Sequence, residues 1–133
     1  MNAHRHCMLI DNDEDDREVF GMAILEADQS ASCSLVSSGL EALKQLQADP
    51  SFVPSYFFID MNMPLMNGKE CLAQLKQIQH LQHVPMYMYS TASDPRSIEE
   101  VKQLGAAALI IKPNTYQELV GLLRALIRPT IEN

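Results

Sequence analysis

The chain has 133 residues, 47% hydrophobic and 20% charged, with a formal net charge of −7 and no tryptophan. This length and balance suit one domain with a real core and argue against a disordered chain. The acidic excess, without any Lys/Arg cluster, argues against direct binding to a phosphate backbone. The longest apolar run, Ala106 to Ile111, is too short to span a bilayer, and Met1 to His6 contains no apolar stretch of signal-peptide length. A cytoplasmic location is therefore expected. Cys7, Cys33 and Cys71 are odd in number and far apart, which suggests neither a disulfide framework nor a zinc site.

In chain order, Cys7-Met8-Leu9-Ile10 is a short apolar run that ends in acid, Asp11-Asn12-Asp13-Glu14-Asp15-Asp16. A helix follows from about Asp15 to Ala27, with Val19, Met22, Ala23 and Glu26 on one side and Phe20, Ile24 and Ala27 extending the apolar stripe. Ser32 to Val36 reads as a weaker strand. Ser38 and Glu41 have capping-box spacing and open a helix carrying Leu40, Leu43 and Leu46, which must stop near Asp49 ahead of Pro50.

Tyr56-Phe57-Phe58-Ile59 then runs straight into Asp60 and a turn, the pattern of a strand buried on both faces. A helix from about Asn67 to Gln77 aligns Leu72, Leu75 and Ile78. His80 to His83 reads as an exposed loop. Met86 to Tyr89 is a fourth strand that runs into Ser90-Thr91-Ala92, and Asp94-Pro95 is an N-cap with proline at the first helical position. That helix turns Ile98, Val101 and Leu104 inward and stops at Gly105. Ala108 to Ile111 is the fifth strand and ends in Lys112-Pro113. Thr115 and Glu118 form a second capping box, and Leu119, Leu122, Leu123 and Leu126 line the last helix.

Five strands alternating with five helices imply an α/β fold: a doubly wound five-stranded parallel sheet with helices on both faces, of the flavodoxin-like type. Every strand then points its carboxyl end to one edge. That edge collects Asp11, Asn12, Asp60, Ser90, Thr91 and Lys112. Carboxylate and amide oxygens suit Mg²⁺, a hard ion that prefers oxygen. A hydroxyl and an ammonium suit an anionic group beside it. Together they describe a phosphoryl-transfer centre. Each residue alone has a plainer explanation, and Asp60 by itself is equally well a turn residue. Their joint placement on four strand ends is what favours chemistry.

With these residues in place the chain resembles the receiver domain of two-component response regulators over nearly its full length. The resemblance rests on Asp11-Asn12, on Asp60-Met61-Asn62-Met63-Pro64 with Gly68, on Ser90-Thr91-Ala92 and on Lys112-Pro113. It implies a stand-alone receiver over residues 1–133 with no output domain. Asp60 would take a phosphoryl group from a histidine of a kinase or phosphotransfer protein. Asp11 would hold Mg²⁺ mainly through water, while Asp60 and the Asn62 carbonyl bind it directly. Ser90 and Thr91 would meet the phosphoryl group, Lys112 would pair with it, and the bond to Pro113 would be cis. Such a protein is no enzyme beyond its own phosphorylation and dephosphorylation. It would be a monomer or weak dimer that signals through its last two helices and fifth strand.

Two departures stand out. Asn12 occupies the position where the family usually has a second, metal-ligating acid, so Mg²⁺ binding is expected to be weaker, with Asp13 one residue further as a partial substitute. Leu109 stands where the family often has an aromatic switch residue. Tyr89 is a surrogate candidate, although a packed structural Tyr is the plainer reading. His4, His6 and Cys7, and the pair His80 and His83, lack further ligands for zinc. Two rival functions remain. One is a pseudo-receiver that binds partners without phosphorylation. The other is a haloacid-dehalogenase-like phosphatase built on Asp11 and Asp13 with Ser90 and Lys112, which gives Asp60 no role.

Overall fold

The computed structural model describes residues 5–127, and each apolar run of the sequence is a strand in it. The elements are β1 (His6–Ile10), α1 (Glu14–Ala27), β2 (Ser32–Val36), α2 (Gly39–Ala48), β3 (Tyr56–Asp60), α3 (Gly68–Lys76), β4 (Met86–Ser90), α4 (Pro95–Gln103), β5 (Ala108–Ile111) and α5 (Tyr116–Ile127). The strands form one parallel sheet in the order β2-β1-β3-β4-β5. The segment expected as a plain loop before β4 contains a single 3₁₀ turn, Gln79–Leu81, which buries Leu81 and leaves His80 and His83 exposed. His4 lies outside the described residues.

Helix starts are set locally. The side chains of Asp13, Ser38, Asn67 and Asp94 accept hydrogen bonds from backbone N–H groups in the first turns of α1, α2, α3 and α4. Thr115 and Glu118 form the expected reciprocal box at α5. At α2 the box is half made, because Glu41 accepts from Ser37 Oγ at 2.8 Å.

Alternation along the strands divides the core into two layers. Met8, Ile10, Phe57, Ile59, Met86 and Met88 face α2, α3 and α4, whereas Cys7, Leu9, Phe58 and Tyr89 face α1 and α5. Phe20 of α1 packs edge-on against Phe58 at 5.1 Å and Tyr89 at 5.8 Å between ring centres. That contact settles which face α1 buries. Phe20, Ala23 and Ile24 go inside, while Val19 and Met22, expected on the inner side, are exposed. Two apolar stripes overlap on α1, and the one carrying the aromatic wins because it removes the larger area from water. Leu40, Ile98 and Leu104 are also turned outward, and α4 is anchored by Val101 alone among its buried residues.

The Lys112–Pro113 bond, expected to be cis, is trans, and no peptide among the described residues is cis. Trans is the lower-energy isomer by about 0.5–1 kcal/mol for X-Pro. Nothing at this position calls for the other: the Lys112 N–H donates to Ser90 O at 2.6 Å and the long side chain still reaches the carboxylates.

Gly68 is the tightest backbone approach near the sheet edge. A Cβ there would lie 2.4 Å from Asp60 O and 2.7 Å from Met61 Cα, whereas one at Gly121 would meet nothing within 4 Å. The two glycines therefore respond oppositely to alanine. Gly68→Ala is expected to destabilise by about 2 kcal/mol or more. Gly121→Ala, in the middle of α5, is expected to stabilise by about 0.5–1 kcal/mol. Urea midpoints at unchanged slope measure both, and a neutral Gly68→Ala would contradict the packing described.

Candidate functional site

Strand parity explains why three charged side chains meet. Asp11 continues the face of Cys7 and Leu9, Asp60 that of Phe58, and Lys112 follows Ile110. All three emerge on the side of α1 and α5 at the carboxyl edge. Asp11 is fully buried and Asp60 is 6% exposed. The Asp11 carboxylate accepts from the Asp13 N–H at 3.0 Å, and Asp60 accepts from the Asn62 N–H at 3.2 Å. Lys112 Nζ lies 2.9 Å from Asp16, 3.2 Å from Asp11 and 3.7 Å from Asp60, and 5.1 Å above the centre of the Tyr89 ring.

These contacts shape the protonation of the cluster. Burial, reinforced by the negative charge of Asp11, pushes the Asp60 carboxyl up to about 6, although the Asn62 N–H and the Lys112 ammonium oppose the rise. Burial pulls Lys112 down, but the hydrogen bond to Asp16 and the charges of Asp11 and Asp60 outweigh it and raise its pKa overall. Burial also lifts the Tyr89 phenol to about 12, so the ring under Lys112 stays neutral. Cys7, Cys33 and Cys71 are each pushed to about 12 by burial and are unreactive thiols at neutral pH.

The other residues of the edge are less committed. Asn12 and Asn62 are exposed at the rim. Asp13 is occupied as the N-cap of α1, its carboxylate accepting from the Asp16 N–H at 2.9 Å. That bond ties one oxygen of the residue weighed as a substitute for the acid missing at Asn12, and as the second acid of a phosphatase, to the start of α1. Ser90 belongs to the opposite strand face, with Met86 and Met88. Its hydroxyl donates to Ala92 O at 2.6 Å, closing a turn, while Thr91 is exposed. Leu109 pairs in register with Met88 and packs with the α2–α4 layer, whereas Tyr89 packs against Phe20 on the other side. Tyr89 is thus a packed structural side chain, on the wrong face to stand in for Leu109. His6 is held between the Ser32 and Ser34 hydroxyls, far from this edge in the strand direction.

Among the described residues, no three His, Cys, Asp or Glu side chains gather as a metal-ligand group. The donors at the edge are two carboxylates, one amide and backbone oxygens. Burial first, and then the charge of Asp11, make the ionised Asp60 costly, and a hard, oxygen-seeking divalent cation would offset that cost, so the donor set fits such an ion. A cavity of about 520 Å³ opens beside the β3–α3 loop, lined by Met61, Asn62, Met63, Asn67, Lys69 and Ser97.

Asp16 was not signalled by the strand-end pattern. It is the third residue of α1, where an acid reads as a partner of the helix dipole. Only the fold returns it to the edge beside Lys112.

A family model described as the response regulator receiver domain matches residues 7–124. The rice two-component response regulator ORR11 (Oryza sativa subsp. indica) is 30% identical over 111 residues, covering 84% of this chain and 73% of that protein. A protein-glutamate methylesterase/protein-glutamine glutaminase of Methanococcoides burtonii is 28% identical over 116 residues, covering 85% of this chain and 32% of the methylesterase. The chain thus spans about a third of that relative's length. Among solved structures, the phosphorylated cyanobacterial phytochrome response regulator RcpA superposes with a TM-score of 0.82 at 22% identity, over 93% of this chain and 91% of that one. The Mn²⁺-bound form of response regulator Rcp1 superposes with a TM-score of 0.76 at 19% identity, over 97% of this chain and 99% of the other. These superpositions agree with the parallel sheet and its flanking helices, and the chain belongs to the response regulator receiver domain family.

Proposed function

We propose that this receiver domain is phosphorylated on Asp60 by a histidine of a partner kinase or phosphotransfer protein, in a two-component phosphorelay. The observation that carries the reading is the convergence of Asp60, Asp11 and Lys112, with the ammonium 3.7 Å from the Asp60 carboxylate. An Asp60 oxygen attacks phosphorus, the bond to the donor breaks, and the donor leaves with the electron pair. Lys112 supplies positive charge to the phosphoryl oxygens.

Asp11, Asp60 and the backbone carbonyl of Asn62, with Asn12 at the rim, would hold a Mg²⁺ ion. When bound, the ion neutralises charge on the phosphoryl oxygens and on the carboxylate pair. Ser90 would leave its turn with Ala92 to donate to the phosphoryl group, and Thr91 lies beside it. That movement would bias the positions of β4, α4 and β5. The outward apolar residues Ile98 on α4, Leu104 at its C-cap and Ile111 on β5 support this face as the surface met by a downstream protein. Neither rival has comparable support: the phosphatase reading gives the buried Asp60 no role, and a pseudo-receiver gives no reason for a buried acid pair beside a lysine.

The direct test is incubation with acetyl phosphate and Mg²⁺, read by intact mass. One phosphoryl increment is expected in the wild type and none in Asp60→Asn; no increment in the wild type at any Mg²⁺ concentration would favour the pseudo-receiver. Asn12→Asp adds a charge to the ion site and is expected to tighten Mg²⁺ binding by about tenfold, in line with one added carboxylate interaction. Titration of the metal settles this, and unchanged affinity would contradict the assigned role of Asn12.

In metal-free buffer Asp60 also predicts a pH dependence. Its folded pKa lies above the ordinary 3.8, so the fold is penalised as pH rises from about 4 to 6, while the unfolded chain ionises freely. The penalty is full above 6 and absent below 4. Asp60→Asn should therefore stabilise the apoprotein by roughly 1–2 kcal/mol at pH 7.5, with the gain fading toward pH 4. Denaturation curves at the two pH values check this; a gain equal at both would point to a cause other than ionisation.

A further inference from the structure

Lys112 has three carboxylates around it, and the nearest is not the proposed phospho-acceptor. Asp16 takes the shortest contact at 2.9 Å and Asp11 the next at 3.2 Å, while Asp60 at 3.7 Å is beyond hydrogen-bond distance. The ammonium has three protons to donate, and two of them are directed to Asp16 and Asp11. The Tyr89 ring beneath it supplies a favourable resting face on the same side. Asp16 lies on α1 rather than on a strand end, with its side chain 43% exposed against 14% for Lys112. A groove of about 190 Å³ runs along this side, lined by Asp16, Val19, Tyr89, Lys112, Pro113 and Tyr116 among others. Lys112 is thus parked between the phosphorylation edge and this groove.

From this geometry we infer that Asp16 is a positioning residue that holds Lys112 back from Asp60 and so slows the charging of Asp60. The inference rests on the phospho-acceptor reading above. A phosphoryl group on Asp60 needs the ammonium, and Asp16 competes for it. The competition is present in the resting protein and must be overcome as phosphorus approaches, when the donor's P–O bond breaks and its electron pair departs with the acetate of acetyl phosphate. Asp16 also leaves a negative charge near the incoming oxygens. Both effects oppose the transition state more than the resting state, so relieving them raises the rate rather than the affinity for donor.

The test compares wild type, Asp16→Asn, Asp16→Glu and Asp15→Asn, each with acetyl phosphate and saturating Mg²⁺, following the phosphoryl increment by intact mass over time. Asp15 sits on the same turn, is exposed, and has no contact with Lys112 among those described, so its substitution removes the same formal charge without the contact. Asp16→Asn is expected to speed charging by about two- to fivefold, the range set by a partly exposed ion pair. Asp16→Glu should stay near the wild-type rate, and Asp15→Asn should change it less than Asp16→Asn. Melting temperatures taken alongside separate a purely structural role, which would lower stability and leave the rate unchanged. An Asp16→Asn rate equal to or below wild type, or an equal acceleration by Asp15→Asn, would overturn the inference. A wild type that takes no phosphoryl group would instead overturn the phospho-acceptor reading, and this inference with it.

Discussion

Everything at the carboxyl edge depends on one ammonium set among three carboxylates. Asp11 and Asp60 face each other at the end of a sheet, both almost wholly buried, where like charges in low dielectric repel strongly. Lys112 makes the pair tolerable, and its own burial is offset by Asp16 first and then by those same acids. The ammonium does not fully offset the cost, since burial and then the charge of Asp11 still push Asp60 up to about 6. On the reading proposed above, a cation and a reaction that spreads charge over phosphoryl oxygens would relieve that cost. The fold contributes by parity: three strands end on residues that share one face, and α1 brings Asp16 to the same spot.

The strands and the acids at their ends were legible because both follow from local rules. Apolar runs bounded by turn signals identify the strands, and alternation with helices fixes a parallel sheet whose ends share an edge. The caps at Ser38, Asp94 and Thr115 located three helix starts for the same reason, whereas the cap at Asp13 went unnoticed. What escaped needed tertiary information. Val19 and Phe20 are neighbours on α1, and only the packing of Phe20 on Phe58 and Tyr89 decides which stripe goes inside. Asp16 reads as an ordinary first-turn acid until the fold sets it beside Lys112. Tyr89 and Leu109 are close in register but on opposite faces, which a list of nearby aromatics does not reveal. The trans bond before Pro113 follows the general preference of X-Pro rather than the resemblance to a family.

Membership of the receiver family sets the frame, and the departures from it are the informative part. Asn12 leaves the edge one negative charge short of the usual pattern, and Asp13 accepts from the first turn of α1. Asp16 adds a charge back, in contact with Lys112 at 2.9 Å. On the reading proposed for Asp60, weakened metal binding and a restrained lysine would both slow its charging.

The assignment of Asp60 over Asp11 is tested most directly by reductive trapping. Protein treated with acetyl phosphate and Mg²⁺ is reduced with borohydride, which converts an aspartyl phosphate to homoserine, and the modified position is located by peptide mass mapping. The phospho-acceptor reading predicts homoserine at position 60 alone. Homoserine at position 11 would contradict it in favour of phosphatase-like chemistry, and no modification in protein otherwise folded would contradict phosphorylation altogether.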